Sequence, residues 1–372
     1  MSLDRIPLTR PTLGDAELAR VSAVLASGQL VNGPMVAAFE DAVCTTLGVE
    51  AVACATGTTA IQLGLIALGV GPGDEVVVPD FCFPSVAAAV TFVGADPVLC
   101  DVDPASFCAT PETVAPALSG RTRAVIAVHQ FGVPANARAI RLSAGLPVLE
   151  DACCALGARE LDGSYCGTTT ELGAISLHPR KVVTTGEGGL VLTRDAAVAA
   201  RLRSLRNHGM ARQPDGSIAF TEIGIPGRMS DLEAALGLAQ LERLDAILQG
   251  RARAAAWYRE RLAHLERVVA PSPLWQTGRA YQGMVVRLAV STAAARDAVM
   301  GTLRAGGIEC TIGTYAIHEL APYQRRCRVP ASGLDGSAMC ARTSLTLPLW
   351  PEMPESAVDR VCATLADALR LR

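Results

Sequence analysis

Residues 175–181 read ISLHPRK and residues 184–189 read TTGEGG, and the rest of the chain is organised around this stretch. Lys181 is the only lysine among 372 residues, and every other residue of the Lys+Arg set is arginine. Arginine stays protonated in proteins, whereas a lysine amine can be desolvated, lose its proton and act as a nucleophile. The sequence therefore predicts a Schiff-base lysine at position 181. The alternative is a lysine left by compositional drift, with no chemical role.

The composition indicates an α/β protein with enough apolar residues for a large core. Hydrophobic residues make up 50% of the chain, aromatic residues 4%, and the mean hydropathy is +0.31. Such a balance suits a parallel sheet that is buried beneath helices. We expect a large domain over residues 1–245, which carries the site, and a smaller α+β domain over residues 246–372.

Charge, hydropathy and cysteine usage exclude several classes of partner. The net charge of −3 and the pI near 6.0 provide no basic surface for nucleic acid. The apolar run over residues 86–93 is too short to span a bilayer, and residues 1–5 lack the pattern of a secretion signal. The 12 cysteines lie mostly in apolar runs without a C-x-x-C pair, which favours buried thiols over disulfides or zinc. We therefore expect a cytoplasmic protein with no metal site, no nucleic-acid partner and no membrane contact.

Apolar strand patterns alternate with helical patterns along the first half of the chain. The strands are continuously apolar, as expected for strands buried on both faces, so the alternation predicts a mostly parallel sheet with its ligand at the carboxyl ends of the strands. Later, a long helical pattern runs from Met229 toward Tyr258 and leads into the second domain. The predicted strands are 51–54, 75–79, 97–101, 123–128, 147–151 and 283–289, and the predicted helices include 34–47, 60–68, 84–93, 293–305 and 355–369.

Residues 56–59, with the sequence TGTT, follow the first predicted strand and open a helix. Free backbone amides, hydroxyl groups and the positive end of the helix dipole would make a cradle for an anion here, and Gly57 would let a ligand approach the backbone closely. Judged alone, an ordinary helix N-cap explains these residues better. The cradle interpretation assigns Gly57, Thr58 and Thr59 to a phosphate group.

Asp151 ends one of the other predicted strands, and Phe83 follows another. A carboxylate at the end of an apolar strand is costly unless it is paired, and a protonated pyridine nitrogen is a suitable partner. Asp151 is equally well explained as a cap for a following helix. Phe83 is a candidate to stack on a planar cofactor, although packing in the core is at least as good an explanation.

Ser176 precedes the lysine by five residues and adds a hydroxyl group for the same phosphate. His178, directly before a proline, is either structural or a substrate contact, and we favour the contact. The set contains a phosphate cradle, a stacking aromatic ring, a pyridinium carboxylate and a Schiff-base lysine, in that chain order. Pyridoxal 5'-phosphate (PLP) needs these groups, so the combination predicts a PLP enzyme.

These motifs together resemble the DegT/StrS family of PLP-dependent sugar aminotransferases, which have aminotransferase fold type I. The resemblance covers nearly the whole chain. It rests on residues 27–34, 39–40, 71–76, 94–98, 128–132, 150–152, 176–189, 206–209, 228–231 and 347–349.

The resemblance implies roles for residues at matching positions. Lys181 would form the Schiff base and move protons, Asp151 would pair with the pyridine nitrogen, and Cys154 would lie at the phenolic edge of the cofactor. It also implies that Phe83 stacks on the ring. The phosphate would be held by Thr58, Thr59 and Ser176, and the substrate would be contacted by His178, Arg228, Tyr315 and His318.

Family members are homodimers whose active sites lie at the subunit interface and are completed by the neighbouring subunit, partly by the segment at residues 224–229. Their usual reaction moves an amino group from glutamate or glutamine to a keto-sugar linked to a nucleoside diphosphate, in antibiotic or amino-sugar biosynthesis. The sequence departs from the family at two positions. Pro226 stands where asparagine is common, and Cys154 stands where glutamine is common.

Three alternatives on the same scaffold stay open at this point. The first is a keto-cyclitol aminotransferase. The second is a PLP-dependent sugar dehydratase, although such relatives usually replace the lysine with histidine. The third is a non-catalytic regulator, which would have no reason to keep its only lysine at this position.

Overall fold

A seven-stranded sheet forms the centre of the protein in a computed structural model that describes residues 5–269 and 278–370. The strands are β1 (Glu50–Cys54), β2 (Glu75–Pro79), β3 (Phe81–Cys82), β4 (Asp96–Cys100), β5 (Thr122–Val128), β6 (Val148–Asp151), β7 (Leu172–Ser176), β8 (Gly189–Thr193), β9 (Met210–Arg212), β10 (Ile218–Phe220), β11 (Val268–Val269), β12 (Met284–Leu288), β13 (Thr311–Ile312), β14 (Tyr315–Ala316) and β15 (Ser344–Leu347). The helices are α1 (Asp15–Ser27), α2 (Pro34–Leu47), α3 (Gly57–Ala67), α4 (Ser85–Phe92), α5 (Pro111–Val114), α6 (Ala137–Ala144), α7 (Ala196–Leu205), α8 (Asp231–Leu241), α9 (Leu244–Leu262), α10 (Ala293–Ala305), α11 (Ala321–Gln324), α12 (Asp335–Thr343) and α13 (Glu355–Arg370).

The large sheet has the strand order β1-β8-β7-β6-β5-β2-β4. The five strands from β7 to β4 are parallel, and β8 is antiparallel to both of its neighbours. This confirms the predicted α/β fold with a mostly parallel sheet. The sequence did not indicate β7 and β8 as strands, although they flank the stretch that contains Lys181.

Helices cover both faces of this sheet. On one face α3, α4 and α7 pack against apolar side chains such as Val52 and Val191. On the other face α2 and α8 pack against Ala51 and Leu190, and α6 packs against the middle strands. Neighbouring residues of one strand thus enter different clusters, which is why the strands are apolar without alternation.

Local signals set the bounds of α2 and α3. Helix α2 spans residues 34–47 as predicted, with Pro34 in its first turn and Gly48 in the left-handed conformation (φ 70°) after its last residue. Thr56 is the N-cap of α3, because its hydroxyl accepts a hydrogen bond from the Thr59 amide at 3.0 Å. The capping prediction for residues 56–59 is therefore confirmed, and it leaves the anion cradle possible.

The single long helix predicted from Met229 toward Tyr258 is wrong, because two helices, α8 and α9, occupy this range. The last turn of α8 tightens where the Arg243 amide donates to the carbonyl of Gln240, three residues earlier. The guanidinium of Arg243 pairs with the buried Glu17 carboxylate. The apolar periodicity continues through this junction, so the sequence pattern does not show the break.

A second, four-stranded sheet has the order β11-β12-β15-β13 and forms its own apolar cluster with α9, α10 and α13. Its strands all follow residue 245, where we place the domain boundary, and α9 runs across that position. Ile6, near the start of the chain, forms a β-bridge with Ile308 and joins this second cluster. The domain boundary at residue 245 stays a proposal. Residues 1–4 and 371–372, at the outer ends of the two predicted domains, lie outside the described residues.

None of the helices in the described part of the chain is long and apolar enough to cross a membrane. The 12 cysteines have free thiols, and eight of them are buried. This burial agrees with the prediction that cysteine serves mainly as a small apolar residue in this chain.

Candidate active site

The candidate site residues meet at the carboxyl edge of the large sheet. Asp151 is the last residue of β6, Ser176 is the last residue of β7, and Thr56–Gly57 lie just after β1. Because β1 and β7 are each antiparallel to β8, their carboxyl ends lie at the same edge. The sheet thus collects residues that are more than a hundred positions apart.

Lys181 closes a turn in which its amide donates to the carbonyl of His178 at 2.8 Å. Its Nζ lies 3.2 Å from Cys154 Sγ. Burial alone would lower the pKa of the Lys181 ammonium, but the sulfur atoms of Cys154 and Cys153 and the Asp151 carboxylate outweigh burial, so the pKa is raised. The lysine and the aspartate predicted from sequence therefore share one electrostatic environment.

The amino end of α3 lies directly against Ser176. A Cβ atom on Gly57 would come within 2.6 Å of Ser176 Cβ and 3.0 Å of Cys153 Sγ, so a larger residue does not fit. The backbone amides of Gly57 and Thr58 have no hydrogen-bond acceptor among the described residues. Orphan amides at the positive end of a helix, beside hydroxyl groups, form a site suited to an anion.

Asp151 is 6% exposed, and its Oδ1 accepts a hydrogen bond from the Cys153 amide at 3.0 Å. The residues that follow form turns, so the interpretation of Asp151 as a helix cap is wrong. No arginine or lysine forms an ion pair with Asp151 within 4.0 Å in the described ranges. A buried carboxylate without an ion pair is suited to a cationic group of a ligand.

Phe83 belongs to a second group of side chains beside the first. It is 63% exposed, so the core-packing interpretation is wrong, and its ring contacts that of Tyr315 with 6.3 Å between centroids. Strand β14 brings Tyr315 here by pairing with β3. His318 follows, and its Nδ1 lies 2.7 Å from Oδ2 of the buried Asp80.

Cys82 connects the two groups. Its fully buried thiol has a pKa raised well above the ordinary value, because burial and the nearby Asp151 and Asp80 carboxylates all disfavour the thiolate. The fold therefore brings Asp151 of the first group and Asp80, the partner of His318, within electrostatic reach of one thiol.

His178 and Arg228 have positions that differ from those of the central residues. His178 is half-buried in the Lys181 turn, where its Nδ1 accepts a hydrogen bond from the Arg180 amide at 3.3 Å. Burial lowers the pKa of His178. Arg228 donates to Asn207 Oδ1 at 2.5 Å, and the described contacts do not join it to Lys181 or Asp151.

The similarity to known proteins covers nearly the whole chain. The profile of the DegT/DnrJ/EryC1/StrS aminotransferase family matches residues 11–366. The chain belongs to this family. It is a PLP-dependent aminotransferase, as the sequence predicted.

Solved structures agree with this assignment. The aminotransferase TlmJ from Streptoalloteichus hindustanus is 35% identical over 99% of both chains, with a TM-score of 0.90. A DegT DnrJ EryC1 StrS aminotransferase from Brucella abortus is 33% identical over 94% of both chains, with a TM-score of 0.86. The PLP form of Spr1654 from Streptococcus pneumoniae is 22% identical over 99% of both chains, and its TM-score of 0.91 shows the shared fold.

The residues of this aminotransferase fit PLP. The orphan amides of Gly57 and Thr58 match the phosphate, and the buried Asp151 carboxylate matches a protonated ring nitrogen. The amine of Lys181 lies beside the sulfur of Cys154, and this amine would be the group that condenses with the aldehyde.

Sequence analysis missed Cys153 and Asp80 in this aminotransferase. Cys153 packs against Gly57 and donates its amide to Asp151. Asp80 orients His318 through two hydrogen bonds. Asp80 had a detectable signal, because it follows an apolar strand just as Asp151 does.

A histidine, a glutamate and a cysteine also lie close enough to hold a metal ion, within the part of the chain described: His129, Glu160 and Cys166. His129 Nδ1 accepts a hydrogen bond from the Ala135 amide at 3.0 Å, and Nε2 lies 3.0 Å from Glu150 Oε2. Both ring nitrogens already have partners. This arrangement gives His129 a structural role, in which it satisfies the buried Glu150 carboxylate.

Proposed function

We propose that this aminotransferase moves the amino group of glutamate or glutamine to a keto-sugar in amino-sugar or antibiotic biosynthesis. The acceptor is carried on a nucleoside diphosphate. One observation supports this most directly: the only lysine of the chain lies 3.2 Å from Cys154, in the same electrostatic environment as the buried Asp151. The family assignment supports the reaction class.

Lys181 provides the reactive amine and the proton transfers. PLP supplies an electron sink that stabilises negative charge on the substrate carbon next to the nitrogen. Lys181 Nζ would take the proton from that carbon and would return it to the carbon on the other side of the nitrogen. Arginine, which keeps its proton, cannot perform these transfers.

Asp151 and α3 orient the cofactor. The Asp151 carboxylate accepts a hydrogen bond from the protonated ring nitrogen and keeps that proton in place. The Gly57 and Thr58 amides and the hydroxyls of Thr59 and Ser176 bind the phosphate, since they surround the amino end of α3. Phe83 would cover one face of the ring, and Cys154 would lie near its phenolic oxygen.

Tyr315 and His318 would contact the sugar from the end of β14. Tyr315 lies next to Phe83, and Asp80 holds the His318 ring in one orientation through its Nδ1. The His318 side chain is 27% exposed, so its ring remains accessible to a ligand. His178 would contact the substrate from the Lys181 turn.

The proposed functional unit is a cytoplasmic homodimer with sites at the subunit interface. The hairpin formed by β9 and β10 exposes large apolar side chains next to residues 224–229, with Phe220 68% and Ile223 95% exposed. A cluster of exposed apolar side chains of this kind marks a protein–protein contact. We propose that Arg228, from this segment, reaches the site of the partner subunit.

A visible spectrum with PLP, followed by borohydride reduction and peptide mapping, tests the cofactor site. We expect a visible band that moves on reduction, with the pyridoxyl label on Lys181. Labelling at another residue, or no band, would contradict the site assignment.

Amino donors and acceptors are tested with the same holoenzyme. Glutamate or glutamine should bleach the band, and a nucleotide-linked keto-sugar should restore it in the following half-reaction. Restoration by a keto-cyclitol and by no keto-sugar would instead identify a cyclitol aminotransferase.

A further inference from the structure

Arg251, on α9, is a buried cation without an acidic partner. Its side chain is 2% exposed, and no carboxylate lies within 4.0 Å of its guanidinium among the described residues. Backbone carbonyls surround it instead. Nη1 donates to the carbonyls of Tyr281 at 3.0 Å and Gln282 at 3.2 Å, and Nη2 donates to the carbonyl of Lys181 at 3.4 Å.

Gln282 makes a similar contact with Arg180, which precedes Lys181 in the same turn. Its side-chain Nε2 donates to the carbonyl of Arg180 at 3.1 Å. Two successive carbonyls of the Lys181 turn are therefore held by residues that follow position 245 in the chain. We call the Arg251 and Gln282 side chains, with these carbonyl contacts, the carbonyl clamp.

A buried guanidinium is a costly way to satisfy backbone carbonyls. Burial lowers the pKa of Arg251 to about 10, and the Glu352 carboxylate offsets only part of this effect. The hydrogen bonds of Arg251 join the backbone of the Lys181 turn to that of residues 281–282, so they hold two separate segments in a fixed relation.

We propose that Arg251 is a positioning residue, which fixes the backbone of Lys181 from the side of the second sheet and so sets the reach of its amine. The inference rests on the proposed role of Lys181. A proton-transfer group must lie within hydrogen-bond reach of the atoms it serves. A displacement of about 1 Å can cost about a hundredfold in rate.

The carbonyl clamp also connects the Lys181 turn to the second sheet. Residues 281–282 come just before β12 of that sheet. The same sheet contains β13, which ends three residues before Tyr315. Arg251 thus connects the lysine turn to the part of the chain that brings Tyr315 and His318 to the substrate.

The test compares Arg251→Met and Arg251→Lys with Arg253→Met, all as holoenzymes. Arg253 is a matched control, because it lies on the same helix and donates to the carbonyl of Pro351, which does not belong to the Lys181 turn. The measurements are the kcat and KM of amino transfer, the melting temperature, and the midpoint pH at which the visible band of the bound cofactor changes. The titratable groups that can influence this midpoint are Lys181 and its neighbours Asp151, Cys153 and Cys154.

For Arg251→Met we expect kcat to fall about ten- to a hundredfold. KM should change little and the titration midpoint should shift. The melting temperature should fall only moderately, because backbone carbonyls lose their donor while the core stays packed. Arg251→Lys should restore part of kcat, because an ammonium can still donate to the carbonyls. Arg253→Met should behave like the wild type in all measurements.

Two results would overturn the inference. One is an Arg251→Met enzyme whose kcat and titration midpoint match those of Arg253→Met. The other is a loss of kcat that occurs only with a large fall in melting temperature. If Arg251→Met does not fold, an Arg251→Lys enzyme with wild-type kcat and midpoint would overturn the inference equally. Absence of the visible band in the wild type would instead contradict the proposed function.

Discussion

Lys181 has an unusual set of neighbours for a residue in a turn. Its amine contacts a thiol, its carbonyl contacts a buried arginine, and the Asp151 carboxylate raises its pKa together with the nearby sulfurs against the effect of burial. The charge on this amine is therefore stabilised locally in the free protein. Removal of the amine should affect chemistry and leave the fold unchanged.

Lys181→Ala should lower amino transfer by at least about a thousandfold, because both the nucleophile and the proton carrier are lost. Lys181→Arg should be equally inactive, since arginine keeps the charge and cannot lose the proton. Steady-state assays with glutamate and circular dichroism check these outcomes. Turnover retained in the arginine variant would show that charge alone is needed.

Asp151→Asn should reduce the rate about a hundred- to a thousandfold, because the ring nitrogen loses the charged partner of its proton. The asparagine has nearly the same shape, so PLP should still bind. Asp245→Asn, at an exposed position on α9, is the control. A mild effect of Asp151→Asn on single-turnover rates would indicate that another residue pairs with the ring nitrogen.

Helix α3 positions the phosphate cradle through its first residue. Gly57 contacts Ser176 of β7 and Cys153 of the following turn, so three separate chain segments converge on one residue without a side chain. Its dihedral angles are ordinary, and the close approach is the reason that glycine is needed there.

Gly57→Ala should weaken PLP binding about tenfold and destabilise the protein by about 1–3 kcal/mol, because the new methyl group overlaps Ser176. Gly301→Ala is the matched control. Gly301 lies in α10 with open space at its Cβ position, so alanine should stabilise that helix. Equilibrium binding of PLP and thermal melting test this prediction. Equal PLP affinity in both variants would exclude contact between α3 and the phosphate.

At the scale of the whole molecule, chain segments that are far apart in the sequence meet beside the site. Strand β14 comes from the C-terminal part of the chain and pairs with β3 next to Phe83. The apolar side chains of Phe220 and Ile223 are exposed, and under the proposed homodimer a second copy of the chain would cover the neighbouring surface.

A mixing experiment tests the shared site. Lys181→Ala and Arg228→Ala subunits are each expected to be inactive alone. If Arg228 acts across the interface, random reassociation should restore about a quarter of the sites, since half of the dimers are mixed and each has one intact site. Activity that stays absent, although light scattering shows mixed dimers, would place Arg228 in its own subunit's site.

Local sequence patterns determined much of the fold. Helix α2 has the predicted bounds because proline, glycine and an apolar face act within a few residues of each other. The alternating strands and helices predicted the mostly parallel sheet for the same reason. The uniqueness of Lys181 pointed to the chemistry, since only a lysine can provide a removable proton on an amine.

Tertiary structure alone decided the antiparallel direction of β8, the break between α8 and α9, and the contacts that complete the site. Asp80 and His318 are 238 positions apart, and Arg251 is 70 positions from Lys181. Such pairs meet only when two separate cores have packed, so their free energy depends on the whole fold. Sequence periodicity records the local preferences of the chain, and it carries no information on which distant side chains will share a hydrogen bond.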